Sequence, residues 1–235
     1  MSNNYSDIHI LDSPESAATA LAERMINQTR TAIQQNDRCV WAVSGGSSIL
    51  KLYNALEEFD DELKSFSKKL IVLWVDERAV PHTNESSNFG KAYKQFWRNY
   101  ENVRLIPVPY HKNSDRAARE YEETLIKNGI EKDGIDITIL GMGTDGHTAS
   151  LFPENKTLKE ENVKVLGVDD PSVEESRVSL TFPFINASKS IYLFFYGKEK
   201  AETFQQAELS GEINTYPVMG IDKNRMEIYS DQHLT

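Results

Sequence analysis

The residues with the clearest capacity for chemistry are Asp145 and His147. They sit in the string Gly141-Met142-Gly143-Thr144-Asp145-Gly146-His147-Thr148-Ala149-Ser150-Leu151-Phe152-Pro153. A histidine can act as a base near neutral pH, and a carboxylate two residues away can orient it. The string follows Ile135-Asp136-Ile137-Thr138-Ile139-Leu140, an apolar run that reads as a buried strand. Three glycines at that strand's carboxyl end let the backbone turn sharply and approach a ligand closely. In open α/β sheets, ligands bind outside the strand carboxyl ends. The pair is therefore expected on the binding rim. His9, His82, His111 and His233 lack such a glycine frame and a neighbouring acid, and read as surface or structural residues.

Three further groups could serve the same rim. Ser44-Gly45-Gly46-Ser47-Ser48 lies between a strand and a helix. A small glycine-rich loop at a helix N-terminus offers free N–H groups and the positive end of the helix dipole, which suits phosphate. The plain alternative is a tight turn with an N-cap serine. The loop is neither a Walker loop nor a dinucleotide fingerprint. Asp76-Glu77-Arg78 directly follows the strand Lys69 to Val75. Arg78 could clamp a phosphate through its planar fork, while Asp76 or Glu77 could hold that arginine or touch substrate hydroxyls. A surface ion pair is the alternative. The polar loop Asn84-Glu85-Ser86-Ser87-Asn88 could cover a small ligand. Arg177 and Lys200, beside later strands, could add positive charge.

These groups need a scaffold, and the chain supplies an alternation of apolar strands and amphipathic helices. Strands are predicted at Ile8 to Leu11, Cys39 to Val43, Lys69 to Val75, Val103 to Val108, Ile135 to Leu140, Val163 to Val168, Val178 to Phe182, Ile191 to Tyr196 and Met226 to Tyr229. Helices are predicted over residues 14 to 35, Ser47 to Phe59, Phe89 to Tyr100, 115 to 128 and 199 to 209. The first should be capped by Ser13, with Pro14 at its first position. The third should carry Phe89, Tyr93, Phe96 and Trp97 on one face. Continuous apolar strands argue for a mostly parallel sheet in an α/β fold, with helices on both faces. The closer spacing of the later strands leaves room for an antiparallel part. No linker, repeat or low-complexity tract divides the chain, so one domain spanning residues 1–235 is expected.

Composition narrows the function. Of 235 residues, 39% are hydrophobic and 26% charged, and the net charge is −10. That balance argues against nucleic acid as the main partner, since no basic stripe stands out. An anion ligand would instead need a local positive pocket. The single cysteine, Cys39, lies in an apolar segment and reads as a core residue. No HExxH motif, cysteine pair or histidine spacing suggests a metal, and no cofactor is expected. The start, Met1-Ser2-Asn3-Asn4-Tyr5, does not read as a signal peptide, and the apolar runs are too short to span a bilayer. A cytoplasmic location is expected.

Taken in order, the serine-glycine loop, the Asp76-Glu77-Arg78 triplet with Glu85-Ser86-Ser87-Asn88, and the Gly141 to Pro153 string resemble the 6-phosphogluconolactonase family of the pentose phosphate pathway. Arg177 and the spacing Gly197-x-x-Lys200 fit as well. The resemblance runs from about residue 10 to residue 220. It implies metal-independent hydrolysis of 6-phospho-D-glucono-1,5-lactone to 6-phosphogluconate, and a modified Rossmann-like parallel sheet shared with glucosamine-6-phosphate deaminase. It further implies that the phosphate sits on Ser44, Gly45, Gly46, Ser47 and Ser48, clamped by Arg78, Arg177 or Lys200. Asp76 and Asn88 would line the substrate site. His147 would activate water, supported by Asp145. Two features depart from the family pattern: Ile49 follows Ser48 where a proline is usual, and Glu154 follows Pro153 where a glycine is usual. The deaminase branch has an extra glutamate before the proline of this loop, which Thr148 to Pro153 lacks. A non-catalytic sugar-phosphate-binding domain is the other alternative.

Overall fold

The structure, a computed structural model, describes residues 5–130 and 134–234, so the reading of Met1 to Asn4 lies outside the described residues. In chain order the strands are β1 (Asp7–Ile10), β2 (Cys39–Val43), β3 (Leu70–Trp74), β4 (Asp76–Arg78), β5 (Arg104–Ile106), β6 (Ile137–Leu140), β7 (Val165–Val168), β8 (Arg177–Leu180), β9 (Ser190–Phe194) and β10 (Met226–Ser230). The helices are α1 (Pro14–Asn36), α2 (Ser47–Leu56), α3 (Asp60–Phe66), α4 (Asn88–Gln95), α5 (Ser114–Lys127), α6 (Phe182–Asn186) and α7 (Lys198–Ser210).

Seven strands form one sheet in the order β1-β10-β9-β6-β2-β3-β5. Every pairing in it is parallel. All residues of β2, β3 and β6 are buried, so both faces of the sheet's centre are covered, as their continuous apolar sequences require. The antiparallel pairing lies elsewhere, in a separate sheet ordered β4-β8-β7. Its cause is local: the connection between β7 and β8 is too short for a parallel crossover.

The direction of growth of the large sheet fixes where a ligand can bind. From β2 the chain builds outward through β3 to β5. It then returns to β2's other side with β6 and grows the opposite way through β9 to β10. The two loops at this reversal leave the carboxyl ends of β2 and β6 and must diverge, which opens a crevice between them. The serine-glycine loop and the histidine loop are those two segments.

Local signals explain most boundaries. Ser13 caps α1, its Oγ accepting from the Ser16 N–H at 3.0 Å, and Pro14 begins the helix. The helix buries Ala17, Ala18, Leu21, Ala22, Met25, Ile26, Thr29 and Ala32 and ends at left-handed Asp37. Two expectations change. The predicted helix over Phe89 to Tyr100 stops at Gln95, because Phe96 leaves helical geometry at φ −135°, ψ −61°. That break turns Phe96 and Trp97 inward to pack against Tyr53, whereas Tyr93 remains 47% exposed. The predicted single aromatic face is therefore split. Phe182 also begins α6 rather than ending a strand, with Pro183 in its first turn.

Candidate active site

The cradle side of the crevice begins where β2 ends. The Ser44 N–H still donates to the Ile139 carbonyl at 3.1 Å, continuing the sheet ladder by one bond. Gly46 then takes φ 90°, a conformation that favours glycine, and serves as the N-cap of α2. Gly45 is required for a different reason: a Cβ there would lie 1.9 Å from Oδ1 of Asn88. The side chains of Ser44 and Ser48 are buried, and neither hydroxyl has a hydrogen-bond partner among the described residues. Two unpaired hydroxyls beside an uncapped helix N-terminus form an anion-accepting surface.

The opposite wall comes from the strand that leaves the large sheet. After Val75 the chain enters β4 and pairs with β8, placing Asp76 opposite Ser179 and Arg78 opposite Arg177. Asp76 is buried, and its Oδ2 accepts from Ser150 Oγ at 2.8 Å. The Arg78 guanidinium is anchored by the Ser86 carbonyl, while its buried Nε has no partner among the described residues. Lys200, in the first turn of α7, makes no ion pair or hydrogen bond among the described residues. Burial pushes its amine below the ordinary lysine value, with neighbouring Glu199 pulling the other way.

The third wall is the histidine loop. His147 Nδ1 lies 2.6 Å from Asp145 Oδ1, which also accepts the His147 backbone N–H at 3.1 Å. Burial pushes the Asp145 carboxyl up, but these bonds and the histidine's charge outweigh it, and the group lies below the usual aspartate value. An ionised Asp145 can only accept, so Nδ1 carries the proton and neutral His147 keeps its lone pair on Nε2. The backbone locks this arrangement. The Gly143 N–H donates to the His147 carbonyl, the Gly146 N–H to the Gly143 carbonyl, and Thr148 Oγ1 to the Gly141 carbonyl. A Cβ on Gly143 would fall 2.2 Å from His147 Nδ1, so only glycine lets the ring lie there. Phe152 packs against the ring at 4.9 Å between centroids.

These walls enclose a cavity of about 240 Å3. That volume lies just below the ~300–1,000 Å3 of sites for drug-sized ligands. Of the residues singled out from sequence, Ser44, Gly45, Gly46, Ser47, Ser48, Asp76, Arg78, Asn88, His147 and Lys200 line it. Asp145 stands behind His147. Arg177 is not brought in: its guanidinium is held by the carbonyl and carboxylate of Glu175. Glu77 also departs from expectation. It neither holds the Arg78 guanidinium nor faces the cavity, and instead accepts four hydrogen bonds from its own strand and the α4 segment. Sequence reasoning did not single out Met142 and Ala149 as lining residues, or Ser150 as the donor to Asp76. For Ser150 a signal existed, since a hydroxyl in a glycine-rich rim loop needs a partner once buried. Among the described residues, no group of three or more His, Cys, Asp or Glu is placed to hold a metal ion.

The fold and site together define a parallel α/β protein in which a glycine-serine loop at a helix N-terminus faces a histidine–carboxylate pair across the reversal of strand order. The chain belongs to the family of glucosamine-6-phosphate isomerases and 6-phosphogluconolactonase, whose model matches residues 12–230. That match includes β10, so the family pattern extends past the residue 220 limit read from sequence. Among its relatives, a 6-phosphogluconolactonase of Chlamydia pneumoniae is 31% identical over 213 residues, covering 87% of this chain and 79% of the relative. A putative 6-phosphogluconolactonase structure from Neisseria gonorrhoeae matches with TM-score 0.82 at 26% identity, over 95% of this chain and 98% of that one. A 6-phosphogluconolactonase structure from Shewanella baltica matches with TM-score 0.85 at 22% identity, over 96% and 97% of the two chains, and shows the shared fold. No helix among the described residues is long and apolar enough to cross a membrane.

Proposed function

We propose that this protein is a cytoplasmic lactone hydrolase that converts 6-phospho-D-glucono-1,5-lactone to 6-phosphogluconate in the pentose phosphate pathway, without a metal. The observation that carries the reading is one crevice with two unlike walls. One wall holds unpaired Ser44 Oγ, Ser48 Oγ and Arg78 Nε, and the other holds a histidine whose Nδ1 is tied to Asp145 at 2.6 Å. The substrate's phosphate occupies the first wall, with Lys200 adding charge. This fixes the far end of the sugar and brings C1 of the lactone to His147. Nε2 takes a proton from water as the water oxygen bonds to C1. Asp145 stabilises the resulting imidazolium. As the C1–O5 bond breaks, the imidazolium returns the proton to the ring oxygen, leaving a carboxylic acid that ionises and releases acid to solvent. Asp76, with one carboxylate oxygen held by Ser150, accepts from a sugar hydroxyl.

The test is acid release by the purified protein, corrected at each pH for spontaneous opening, with phosphorylated and unphosphorylated gluconolactone. The expected result is a kcat/KM far higher for the phosphorylated lactone, unchanged after exhaustive EDTA treatment. Equal kcat/KM for the two lactones would remove the phosphate site from the reading. Ammonia release from glucosamine-6-phosphate in place of lactone hydrolysis would assign the chain to the other activity of its family.

A further inference from the structure

Glu77 is a charged residue that the proposed chemistry does not use, yet it is only 2% exposed. No cation among the described residues pairs with it. Instead both oxygens are filled by donors from the protein: Oε1 accepts the N–H groups of Arg78 and Asn88, each at 2.7 Å, and Oε2 accepts Ser87 Oγ at 2.9 Å and the Phe89 N–H at 2.8 Å. Three of the four donors belong to the turn that opens α4, where a negative charge also meets the positive end of the helix dipole. A buried carboxylate with four donors holds its surroundings tightly, because freeing any donor leaves an unpaired polar group.

What it holds is the outer wall of the cradle. Asn88, pinned through its backbone by Glu77, places its carboxamide against Gly45 and donates from Nδ2 to the Asp76 carbonyl at 3.0 Å. Ser86, the residue before the pinned turn, supplies the carbonyl that anchors the Arg78 guanidinium. The Arg78 backbone N–H is itself a Glu77 donor. Both ends of Arg78 and the position of Asn88 are thus referred to one carboxylate. We infer that Glu77 is a positioning residue that sets the phosphate affinity of the cradle by fixing Arg78 and Asn88, without touching substrate. This rests on the proposed phosphate-binding role of that wall.

The informative variant is Glu77→Gln, which keeps the shape but replaces an acceptor by an amide donor. Gln can satisfy the Arg78 and Asn88 N–H groups with its oxygen, and Ser87 can rotate to accept from its amide. The Phe89 N–H then loses its partner. Three quantities are measured: the Kd of 6-phosphogluconate by calorimetry, and steady-state kinetics on the phosphorylated and unphosphorylated lactones. The expected result is a Kd and KM raised about tenfold for the phosphorylated ligands, with kcat within about threefold and the unphosphorylated lactone hardly affected. A general loosening of the fold would lower both lactones together, and that outcome overturns the inference. So does wild-type affinity in the variant. If Glu77→Gln does not fold, Ser87→Ala removes the Ser87 donor to Glu77, together with the cap that the same Oγ gives the Gly90 N–H, and should weaken 6-phosphogluconate binding in the same direction by a smaller factor, with the unphosphorylated lactone hardly affected. Unchanged binding there overturns the inference equally. Absence of 6-phosphogluconate binding by the wild type would instead refute the phosphate site itself.

Discussion

The two walls of the crevice differ in how completely they satisfy themselves. On the histidine side nearly every polar group has a partner: Asp145 holds the ring and backbone of His147, and Gly141, Gly143 and Gly146 are tied into the same loop. On the cradle side Ser44 Oγ, Ser48 Oγ and Arg78 Nε are buried without partners among the described residues, where half-buried Lys200 is also unpaired. These groups are the ones on that wall left available to a ligand. On the proposed reading, the histidine wall holds one geometry for a reaction step and the cradle wall is completed by a ligand. Chemistry and affinity are therefore expected to separate between them.

The largest effect should come from the histidine wall. His147→Ala should lower kcat by about two to four orders of magnitude, the range for a positioned base, with KM nearly unchanged. Gly143→Ala should imitate it, because its Cβ would collide with Nδ1 of His147 at 2.2 Å and Oδ1 of Asp145 at 2.5 Å. Steady-state kinetics decide this, and a KM effect without a kcat effect would erase the division between the walls.

Next comes the cradle. Arg78→Ala should raise KM for the phosphorylated lactone by about ten- to a hundredfold, as expected for losing hydrogen bonds to a charged group. It should leave kcat within a fewfold and weaken inhibition by inorganic phosphate. If kcat fell as far as in His147→Ala, Arg78 would belong with the reacting atoms rather than with the distant phosphate.

The pH profile should show the same separation. The Lys200 amine, pushed down by burial, loses its proton below the ordinary lysine value of about 10.4. Its charge is present below that point and lost above it, so kcat/KM for the phosphorylated lactone should fall on the alkaline side. The unphosphorylated lactone should show no such limb. On the acid side, Asp145 stays ionised further down than an ordinary aspartate. Its contribution to holding the histidine loop is therefore kept as pH falls, until the pH reaches its lowered value. An alkaline limb shared by both lactones would place the titrating group at the reaction centre.

The sequence made the histidine wall and the parallel sheet readable because both obey local rules. Cys39 to Val43 is a continuous apolar run bounded by polar residues, and it matches β2 residue for residue. The glycines around His147 announce a turn that other residues cannot make. The cradle's support was less readable. Asp76-Glu77-Arg78 looks like a surface ion triplet, and nothing local says that Glu77 turns inward to meet donors ten to twelve residues ahead. Arg177 carried the expected charge, but Glu175, two residues before it, takes its guanidinium through both carbonyl and carboxylate, a local pairing that the strand pattern did not reveal. The short helix Asp60–Phe66 escaped notice because only Leu63 and Phe66 are buried in it, too few for a period to show. For Glu77 the obstacle is sequence separation: contacts within one loop leave a pattern, and these bonds to a second loop do not.

The smallest expected effect lies where the histidine loop ends. Glu154 has φ 58°, the left-handed region that a side chain disfavours, and stands where the family pattern has glycine. Its N–H donates to the Asn214 carbonyl at 2.8 Å, and its carboxylate accepts from Asn214 Nδ2. Glu154→Gly relieves the backbone but loses the side-chain bond and adds freedom to the unfolded chain, so its net effect alone decides little. Glu154→Ala loses the same bond and keeps the strain. The comparison of the two variants isolates the backbone term: the glycine variant should be more stable by about 1 kcal/mol, roughly 2–4 °C in Tm for a chain of this size. Both should keep wild-type kcat, since neither the Asp145–His147 pair nor the bonds that close Gly141 to Thr148 pass through Glu154. Equal Tm values would mean that this turn carries no strain. A kcat that tracked Tm would mean that the histidine wall is not self-contained, and the contrast with the cradle would lose its basis.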